Sequence, residues 1–534
     1  MGRSRRDFMK TMGYGAAGMS LMPLMSCINV SKGKERPNIL FIMSDDHAEQ
    51  AISCYGNSPI ETPNIDRIAH EGIRFNNSFV TNSICAPSRA TILTGKYSHN
   101  IGLRDNRDVF DGSQLTFPKL LQEADYGTSL IGKWHLKTTP AGFDRWEILR
   151  GQGQYYNPVF YTEEGETKYT GYTTDIITDR ALNALENRDA SRPFCMMVQH
   201  KAPHRNWMPD IKHLQTAEDV EAPVPDTFYD DYETRSAAAE EADMRIDDMF
   251  LSFDLKLHPD AYQQETGTGG NVEWARNAPE TWEATYNRLT PEQKKAWDAY
   301  YDEVNEEFKS SNFTDRELSE WKYQRYINDY LKCVISLDEN IGRLLKYLDE
   351  NDLSDNTIVV YTSDQGFYLG EHGWYDKRFM YEESLSMPLV MRYPGTIPAG
   401  QVSDEIVLNL DFAPTFLEFA GAAIPGEMQG RSMRPLMTGP GNIEWRDSMY
   451  YHYYEYPHGW HDVKRHYGIR TQRYKLIHFY HDIDAWELYD LENDPNEVAN
   501  LYDHPEYQTV VEKLKIQLRS LQQKYGDTDI EYDE

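Results

Sequence analysis

The stretch N-I-L-F-I-M-S-D-D-H, residues 38–47, decides the fold class of this chain. It begins as an apolar run of the length typical of a strand buried on both faces, and it ends in four polar residues. Three further runs, at 128–131, 194–198 and 357–361, end in the same way, in G-K-W-H, Q-H-K-A-P-H and T-S-D-Q-G. Ligands of open α/β sheets bind outside the carboxyl ends of the strands. The four polar tails are therefore predicted to meet in one cleft of an α/β fold.

Hydrophobic periodicity predicts the elements around this sheet. Apolar residues recur at three- and four-residue steps over 323–348, which predicts a helix that covers the sheet and leads into the last of the four strands. The chain between about 214 and 320 is polar and rich in Trp and Tyr, with a Pro-containing loop near 220–226 and a charged helical stretch near 290–308. We interpret it as a helical insertion beside the cleft, within a catalytic domain that covers 37–430.

The pattern changes near residue 430. Short aromatic strands follow, at 448–456 and 474–480, and the chain closes with an amphipathic helix near 510–525. Strands followed by a helix that can cover one face of them are typical of a small α+β unit. The sequence therefore predicts a smaller C-terminal α+β subdomain over 431–534.

The composition excludes one broad class of function. The chain has 534 residues, with 54 Lys and Arg against 86 Asp and Glu, which gives a formal charge of −32. Nucleic acids are held mainly by net basic surfaces, so no nucleic-acid partner is expected. A hydrophobic fraction of 40% and a charged fraction of 26% are typical of a globular chain that buries a substantial core.

The first 27 residues are predicted to be an export signal. The segment S-R-R-D-F-M-K at 4–10 contains a paired arginine, as twin-arginine signals do, and the apolar stretch at 14–25 is too short to span a membrane permanently. The stretch closes with L-M-S-C, ending at Cys27, which resembles the lipobox of bacterial lipoproteins. We therefore expect an exported protein, periplasmic or held at the outer membrane or cell surface only through a lipid anchor. A chance cysteine in an ordinary cleavable signal is the alternative.

The remaining cysteines, at 54, 85, 195 and 333, have no C-x-x-C spacing, which argues against a zinc ribbon and a disulfide scaffold. Among them, Cys85 lies in the segment C-A-P-S-R-A-T-I-L-T-G. Pro87 suits the first turn of a helix, so Cys85 is predicted at a helix N-terminus, where free N–H groups stabilise an anion. Arg89 adds positive charge one turn on. The thiol is therefore expected to be acidic and reactive.

The C-x-P-S-R element followed by T-G resembles the signature of the type I sulfatases. The resemblance extends from about residue 37 to 500, through P-N-I-L-F-I-M-S-D-D, G-K-W-H-L, H-K-A-P-H, S-D-Q-G, D-K-R and S-M-P-L-V-M-R-Y-P-G. The D-K-R and H-K-A-P-H segments are most similar to bacterial polysaccharide sulfatases and the N-acetylglucosamine-6-sulfatase branch. The resemblance implies an alkaline-phosphatase-like α/β fold, with a large mixed sheet flanked by helices. It also implies that a maturation enzyme oxidises Cys85 to formylglycine, whose hydrated aldehyde is the nucleophile.

The same resemblance implies a metal site. One divalent cation would be held by Asp45, Asp46, Asp364 and Gln365 together with the modified Cys85. All of these are oxygen donors, which favour Ca²⁺, or less readily Mg²⁺, over zinc. Relatives often carry Asn or His where this chain has Gln365, so the coordination at that position stays open.

Five further residues receive catalytic roles from the resemblance. Arg89 and Lys133 would stabilise the formylglycine oxygens and the bound sulfate, and Lys377 would hold the sulfate from the opposite side. His204 would donate a proton to the leaving sugar oxygen, because imidazole titrates near neutral pH. His135 would accept a proton in the second step, in which free sulfate is released.

The sulfate ester itself stays open at this point. The expected substrate is a sulfated polysaccharide or its oligosaccharides, algal such as ulvan or a glycosaminoglycan. Two alternatives remain: a phosphate or phosphonate monoester hydrolase of the same superfamily, and a non-catalytic surface glycan-binding relative whose Cys85 is never oxidised. The oligomeric state is not predicted. Candidates for sugar recognition, on the loop after residue 105 and in the histidine-rich stretch of the subdomain, are Asn106, Arg107, Asp108, His458, His461 and His466.

Overall fold

The protein is described by a computed structural model over residues 36–56, 58–216, 220–268, 272–439 and 443–527, with the backbone alone at 272–276. The predicted export signal and lipobox, residues 1–27, lie outside the described residues. Within these ranges, no helix is both long enough and apolar enough to cross a membrane.

The described part of the chain contains one large sheet, three small sheets and the helices that cover them. The strands are β1 (Asn38–Ser44), β2 (Ile73–Phe75), β3 (Ser78–Phe79), β4 (Gly127–Gly132), β5 (Arg145–Leu149), β6 (Val159–Thr162), β7 (Gly165–Lys168), β8 (Phe194–Gln199), β9 (Thr357–Ser363), β10 (Tyr368–Leu369), β11 (Tyr375–Asp376), β12 (Leu389–Arg392), β13 (Gln401–Ser403), β14 (Val407–Leu408), β15 (Ser448–Tyr453), β16 (His466–Thr471), β17 (Tyr474–Phe479) and β18 (Ala485–Asp490). The α-helices are α1 (Pro63–His70), α2 (Cys85–Thr94), α3 (Ser98–Ile101), α4 (Phe117–Glu123), α5 (Thr173–Glu186), α6 (Ala237–Glu241), α7 (Val272–Tyr286), α8 (Pro291–Ser310), α9 (Asp315–Glu350), α10 (Glu382–Leu385), α11 (Phe412–Ala420), α12 (Arg434–Thr438) and α13 (Gln508–Tyr525).

The large sheet is mixed, with a parallel centre. Its ten strands have the order β13-β2-β12-β9-β1-β8-β4-β5-β6-β7. At the centre, β1 pairs in parallel with β9 and β8, and β4 pairs in parallel with β8 and β5. Antiparallel pairing occurs towards the edges, where β12 lies between β9 and β2 and where β6 joins β5 to β7. The four apolar runs identified in the sequence are the neighbouring strands β9, β1, β8 and β4. The predicted large mixed sheet is confirmed.

Side chains of the central strands alternate between two helical layers, because successive strand residues point to opposite faces. Phe41 packs edge-on against Phe412 of α11, with ring centroids 5.3 Å apart, in the same apolar cluster as residues of α2 and α4. Leu40 and Ile42 face the other layer, which α1, α5 and α9 form. Burial on both faces explains why these strands are continuous apolar runs in the sequence.

The helix predicted over 323–348 is the central part of α9, which begins upstream at Asp315. Thr314 caps it: the Thr314 side chain accepts from the Glu317 N–H, and the Glu317 carboxylate accepts from the Thr314 N–H. This capping box belongs to an exposed polar turn, which apolar periodicity does not detect. The helix therefore extends beyond its apolar pattern at the N-terminus.

The insertion combines helices with irregular chain. It contains α7 and α8, but between 220 and 268 the chain forms only α6 and a short 3₁₀ turn among irregular segments. Prolines at 223 and 225 oppose a helix there, since proline lacks the N–H that an interior turn needs. Trp297 and Tyr301 of α8 join an apolar cluster with Tyr326 of α9, which anchors the insertion to the helical layer.

The C-terminal subdomain is a four-stranded antiparallel sheet, β15 to β18 in sequence order, with α13 packed on it. The predicted small α+β subdomain is confirmed. It shares a core with the large sheet, because Leu476 of β17 and Leu518 of α13 belong to the same apolar cluster as Phe41. Residues from Arg36 onward form one compact unit.

Candidate active site

The carboxyl ends of four neighbouring strands carry the site. Because β9, β1, β8 and β4 are parallel, the residues that follow them share one edge of the sheet. Backbone hydrogen bonds join the tails: the Asp364 N–H donates to Ser44 O at 3.3 Å, and the Lys133 N–H donates to Gln199 O at 2.7 Å. The polar tails meet as predicted.

Three carboxylates cluster where β1 and β9 end. One oxygen each of Asp45, Asp46 and Asp364 lies within 4.8 Å of the others, and all three side chains are buried. Asp46 has a left-handed backbone, with φ 64°, and its N–H donates to Asp364 Oδ1 at 3.2 Å. Gln365 Nε2 donates to Asp46 Oδ1, while Gln365 Oε1 is buried without a hydrogen-bond partner in the described structure.

This donor set fits a hard divalent cation. Carboxylate and amide oxygens are the ligands of Ca²⁺ and Mg²⁺, and the unpartnered Gln365 Oε1 is an acceptor that such an ion can use. Burial raises the pKa of Asp46 to about 7 despite the charge of Lys377. Burial and the charge of Asp45 raise the pKa of Asp364. A cation here would favour the ionised form of these buried carboxyls.

Cys85 is the first residue of α2, directly after the extended residue Ile84. Its Sγ lies 3.4 Å from Asp45 Oδ1 and 3.6 Å from Lys377 Nζ. The expectation of an acidic thiol is wrong for this structure, because burial and the charge of Asp45 raise the pKa of Cys85 and outweigh Lys133 and Lys377. A neutral thiol is a weak nucleophile. What distinguishes Cys85 is therefore its position beside the carboxylate cluster, not its acidity.

Arg89 and Lys133 lie in the wall behind the carboxylates. Arg89 donates to Asp364 Oδ2 at 2.9 Å, to Gln199 Oε1 at 2.8 Å and to Lys133 O at 2.9 Å, and it also contacts Asp45. Lys133 Nζ pairs with Asp45, and its side chain is fully buried. In this structure the polar groups of the two residues face carboxylates, the Gln199 amide oxygen and backbone, and their role at the formylglycine oxygens and the sulfate stays a prediction.

The two predicted proton carriers have similar electrostatic surroundings. His204 Nδ1 lies 2.7 Å from Arg205 O, which assigns its hydrogen to Nδ1 and leaves Nε2 facing Asp46 Oδ2 at 3.8 Å. His135 Nδ1 is buried without a hydrogen-bond partner among the described residues. Burial and the charge of Lys133 lower the pKa of both imidazoles. Both rings are therefore neutral at pH 7 in this arrangement, and each can accept a proton.

A cavity of about 370 Å³ lies against Cys85. Of the predicted catalytic residues, Cys85, His204 and Lys377 line it. Of the predicted substrate residues, Asn106 and His461 line it, and Asn106 Oδ1 accepts from the Ala86 N–H at 3.1 Å. The lining also includes residues that sequence reasoning did not select, among them Gln152, Lys201, Asp376, Arg378 and Trp460.

Asp376 and Arg378, which were not selected from the sequence, form a polar group with His461 in the cavity lining. Arg378 Nε donates to Asp376 Oδ1 at 3.0 Å, and His461 Nε2 lies 3.5 Å from Asp376 Oδ2. His461 Nδ1 is 2.9 Å from Asp243 O. Although burial opposes it, the charge of Asp376 and the bond to Asp243 raise the pKa of His461. The sequence did contain a signal, since the two missed residues flank the predicted lysine in D-K-R.

Four candidates for sugar recognition do not line the cavity: Arg107, Asp108, His458 and His466. The Arg107 guanidinium is held by Asp105 at 2.8 Å. His458 is exposed in the loop that follows β15. His466 is fully buried in β16, where its ring centroid lies 5.1 Å from that of Phe479. A buried ring that packs on a phenylalanine is a core side chain, so His466 cannot contact a sugar in this structure.

The fold and the site together define a class of protein. Parallel strands that present a buried carboxylate cluster, beside a cysteine at a helix N-terminus and a histidine at a cavity, are suited to metal-assisted hydrolysis of esters of a tetrahedral anion. Residues 37–422 match the family model described as Sulfatase, and residues 370–524 match the model described as N-sulphoglucosamine sulphohydrolase, C-terminal. The chain belongs to the sulfatase family, and the protein is a sulfuric ester hydrolase.

Individual relatives support the same assignment. The N-acetylglucosamine-6-O-sulfatase of Bacteroides thetaiotaomicron is 50% identical over 518 residues, which cover 96% of this chain and 91% of that protein. A solved complex with the substrate D-glucosamine-2-N,6-O-disulfate has a TM-score of 0.88 at 50% identity, covering 94% of this chain and 100% of that one. The phosphonate monoester hydrolase of Agrobacterium radiobacter, at 19% identity and a TM-score of 0.65, shares the fold. The predicted alkaline-phosphatase-like fold and the N-acetylglucosamine-6-sulfatase-like branch are confirmed.

Proposed function

We propose that the protein is an exported carbohydrate sulfatase that removes the 6-O-sulfate of N-acetylglucosamine or N-sulfated glucosamine in glycosaminoglycan-derived saccharides. The observation that carries this proposal is the 50% identity, over 96% of the chain, to an N-acetylglucosamine-6-O-sulfatase. The likeness to a complex with D-glucosamine-2-N,6-O-disulfate agrees with it. A cavity of about 370 Å³ against Cys85 has room for a saccharide rather than for the sulfate group alone.

The proposed nucleophile is formylglycine, made from Cys85 by a maturation enzyme before the chain is active. Once formed, its hydrated aldehyde would supply a hydroxyl for attack on sulfur, and a divalent cation would add positive charge at the sulfate oxygens. We propose Ca²⁺, because the donors are oxygens only and three of them are carboxylates. The residues that would hold the ion are Asp45, Asp46, Asp364, Gln365 and the modified residue 85.

The remaining site residues bind and transfer protons. Lys377 Nζ, 3.6 Å from Cys85 Sγ, is placed to hold a sulfate oxygen at the nucleophile. His204 presents Nε2 towards the site and would donate a proton from it to the leaving sugar oxygen. Because burial and Lys133 lower the pKa of His204, the proton must be stabilised by the bound sulfate anion. His135 would accept the proton lost in the second half of the reaction.

Arg89 and Lys133 act on the anionic groups around the reaction. Arg89 bonds to Asp364 and Asp45, which holds these carboxylates in position for a cation. Lys133 pairs with Asp45 and offsets part of the negative charge near the incoming sulfate. The positive charges of Arg89 and Lys133 therefore stabilise the bound sulfate electrostatically.

Sugar recognition is proposed for Asp376, Arg378 and His461, which line the cavity and are linked by hydrogen bonds and ion pairs. Charged donors and acceptors that are fixed by each other suit the hydroxyls of a sugar. Trp460 offers an apolar face beside them, and Asn106 adds an amide. Polar groups that would be left unpaired by the wrong sugar make such a site selective.

The proposal includes export of the enzyme from the cytoplasm. It is supported by the paired arginine at 5–6, the apolar stretch at 14–25 and the lipobox-like end at Cys27. The enzyme would be periplasmic or tethered at the outer membrane or cell surface. Cell fractionation of the wild type and of Cys27→Ala tests this: a tethered enzyme should pass from the membrane fraction to the soluble periplasmic fraction in the variant. Cytoplasmic retention of the wild type would contradict export.

The experiment for the activity is sulfate release by full-length enzyme co-expressed with a maturation enzyme. The substrates are N-acetylglucosamine-6-sulfate, glucosamine-2-N,6-O-disulfate, the 3- and 4-sulfated isomers, and ulvan oligosaccharides. We expect release from the 6-O-sulfates and none from Cys85→Ala, with formylglycine at position 85 detected by peptide mass. Release from another sulfate position only, or undiminished release by Cys85→Ala, would contradict the proposal.

A further inference from the structure

A second cavity, of about 360 Å³, adjoins the active-site cavity. The two share Gly153 and Gln154, so the loop after β5 borders both. The other lining residues of the second cavity are Arg150, Val159 and Arg288. No acidic residue of the described chain lines it. Two arginines without a carboxylate are unusual in a protein whose formal charge is −32, and they make this cavity a place where an anion is favoured.

Arg288 is the better defined of the two arginines. Its Nη2 donates to Asn157 O at 2.7 Å, while its Nε is buried without a hydrogen-bond partner among the described residues. No carboxylate of the described chain lies within ion-pair distance of it. Burial lowers the pKa of Arg288, which is the direction expected of a guanidinium without a counter-charge. A partly desolvated cation with an unused donor gains free energy when an anion binds it.

Arg150 is the second arginine that lines this cavity. It directly follows β5, its side chain is exposed, and no ion pair involves it in the described part of the chain. Arg288 is partly buried and Arg150 is exposed, and both line the same cavity. Together their guanidinium groups can bind a sulfate or a carboxylate. The planar donors of arginine match both anions, often with two hydrogen bonds.

One element connects the two cavities. Thr281 and Thr285 of α7 line the active-site cavity. Arg288 follows Thr285 by three residues and continues the turn, since its N–H donates to Thr285 O at 3.1 Å. Three helical residues rise by about 5 Å. A ligand that leaves the active-site cavity along α7 therefore reaches Arg288 within about one helical turn.

We propose that the cavity lined by Arg150 and Arg288 binds a second anionic group, a carboxylate or a sulfate, on the sugar next to the one that is desulfated. This inference rests on the proposed function, because it assumes a saccharide in the active-site cavity. It extends that function by making the neighbouring sugar part of the recognised substrate. The preferred substrates are then acidic oligosaccharides, and a monosaccharide uses only part of the site.

The test measures binding, so that it does not depend on maturation or turnover. Full-length protein in a Cys85→Ala background, with Ca²⁺ present, is titrated calorimetrically with four probes. These are N-acetylglucosamine-6-sulfate alone and the same residue linked to a neutral hexose, to a uronic acid or to a sulfated hexose. The variants are Arg150→Ala, Arg288→Gln and Arg288→Lys. Arg519→Ala, an exposed arginine on α13, is the control for loss of one positive charge.

We expect the parent to bind at least one acidic disaccharide about tenfold more tightly than the neutral one, and the two acidic probes distinguish carboxylate from sulfate. Arg150→Ala and Arg288→Gln should remove that preference and leave the monosaccharide affinity unchanged. Arg288→Lys should keep part of it, which also guards against misfolding of Arg288→Gln through its bond to Asn157. Equal affinity of the parent for acidic and neutral disaccharides would overturn the subsite, as would an equal loss for all probes. If no 6-sulfated probe binds the parent, the proposed function itself fails.

Discussion

The Arg89 guanidinium donates a hydrogen bond from Nε to Asp364 Oδ2 at 2.9 Å, and so joins the first turns of α2 to the carboxyl end of β9. Cys85 starts that helix, and Asp364 belongs to the carboxylate cluster. Nη2 of the same guanidinium lies 3.3 Å from Asp45 Oδ2. One side chain thus fixes the distance between the proposed nucleophile and the proposed metal ligands.

Replacing Arg89 tests this role. Lysine keeps the charge but presents one donor group, so Arg89→Lys cannot bond to Asp364, Asp45 and Gln199 at once. At least one hydrogen bond to a buried carboxylate is then lost, which costs about 2 kcal/mol of stability. We expect a melting temperature several degrees below that of the wild type and sulfate release reduced by about a hundredfold. Arg316→Lys, at an exposed ion pair with Glu320, is the control and should change stability by less than about 1 kcal/mol. Near-normal activity of Arg89→Lys would contradict the role.

The cation site is tested at Gln365, whose Oε1 has no hydrogen-bond partner in the described structure. Asparagine is shorter by one methylene, so Gln365→Asn withdraws the amide oxygen from the carboxylates. We expect Ca²⁺ affinity, measured by calorimetry, to fall about tenfold, and Mg²⁺ to bind more weakly than Ca²⁺ in the wild type. Gln517→Asn, at an exposed position on α13, should leave Ca²⁺ binding unchanged. Unaltered Ca²⁺ affinity in Gln365→Asn would exclude this amide as a ligand.

Much of this site is predictable from the sequence, for a physical reason. Strands buried on both faces are continuous apolar runs, so the four tails could be located without a structure. Motif similarity then assigned Asp45, Cys85 and Asp364 to one place. The local sequence does not determine which groups a side chain contacts in the folded protein. Arg89 was predicted to stabilise the formylglycine oxygens and the sulfate, and only the structure shows that its donors also hold Asp364 and Asp45.

The histidines of the subdomain also differ in whether their rings reach the cavity. A stretch rich in imidazole predicts that some rings recognise sugar, but only tertiary packing decides which. His461 lies in a loop that Asp376 and Asp243 hold against the cavity, whereas His466 is on a strand whose side chains are buried. In the irregular chain over 220–268, the prolines at 223 and 225 are a local signal against a helix, but the path of the chain depends on contacts such as the hydrogen bond from Tyr323 of α9 to Pro223 O.

The role of His461 in substrate binding can be tested by substitution, with His458 as the control position. His461→Gln should raise KM for N-acetylglucosamine-6-sulfate about tenfold with little change in kcat, because it removes a contact made equally in the ground and transition states. His458→Gln should have no effect, since that ring is exposed and away from the cavity. Steady-state kinetics of both variants check this. Equal KM values for His461→Gln and the wild type would remove His461 from the sugar site.

The pH dependence of KM adds a second check on His461. Burial opposes its charge, but Asp376 and the bond to Asp243 raise the pKa of His461 above the usual 6.5. The charged ring is therefore present below its raised pKa and is lost as the pH rises through it. We expect KM of the wild type to increase on the alkaline side, and KM of His461→Gln to lack that increase. Parallel KM profiles for the two enzymes would contradict an ionised His461 in binding.

His466 should affect stability rather than KM. Its ring packs on Phe479, Nδ1 lies 2.8 Å from Lys464 O, and burial lowers the pKa of His466 to about 3. An unfolded chain protonates this histidine below about pH 6.5, whereas the folded protein does so only near pH 3. The unfolded state therefore binds more protons in that window. The contribution of His466 to stability is present above about pH 6.5 and is lost as the pH falls, by up to about 1.4 kcal/mol per pH unit.

Phenylalanine keeps the packing at this position and cannot take up a proton. His466→Phe should be less stable than the wild type at about pH 7.5, because the bond to Lys464 O, worth about 1 kcal/mol, is lost. At about pH 5 the difference should shrink or reverse, because the variant lacks the proton-linked loss. Melting temperatures at the two pH values measure this, with His458→Phe, an exposed position, as the control. A constant difference between His466→Phe and the wild type at both pH values would show that His466 titrates alike in the folded and unfolded states, and a raised KM would return it to the sugar site.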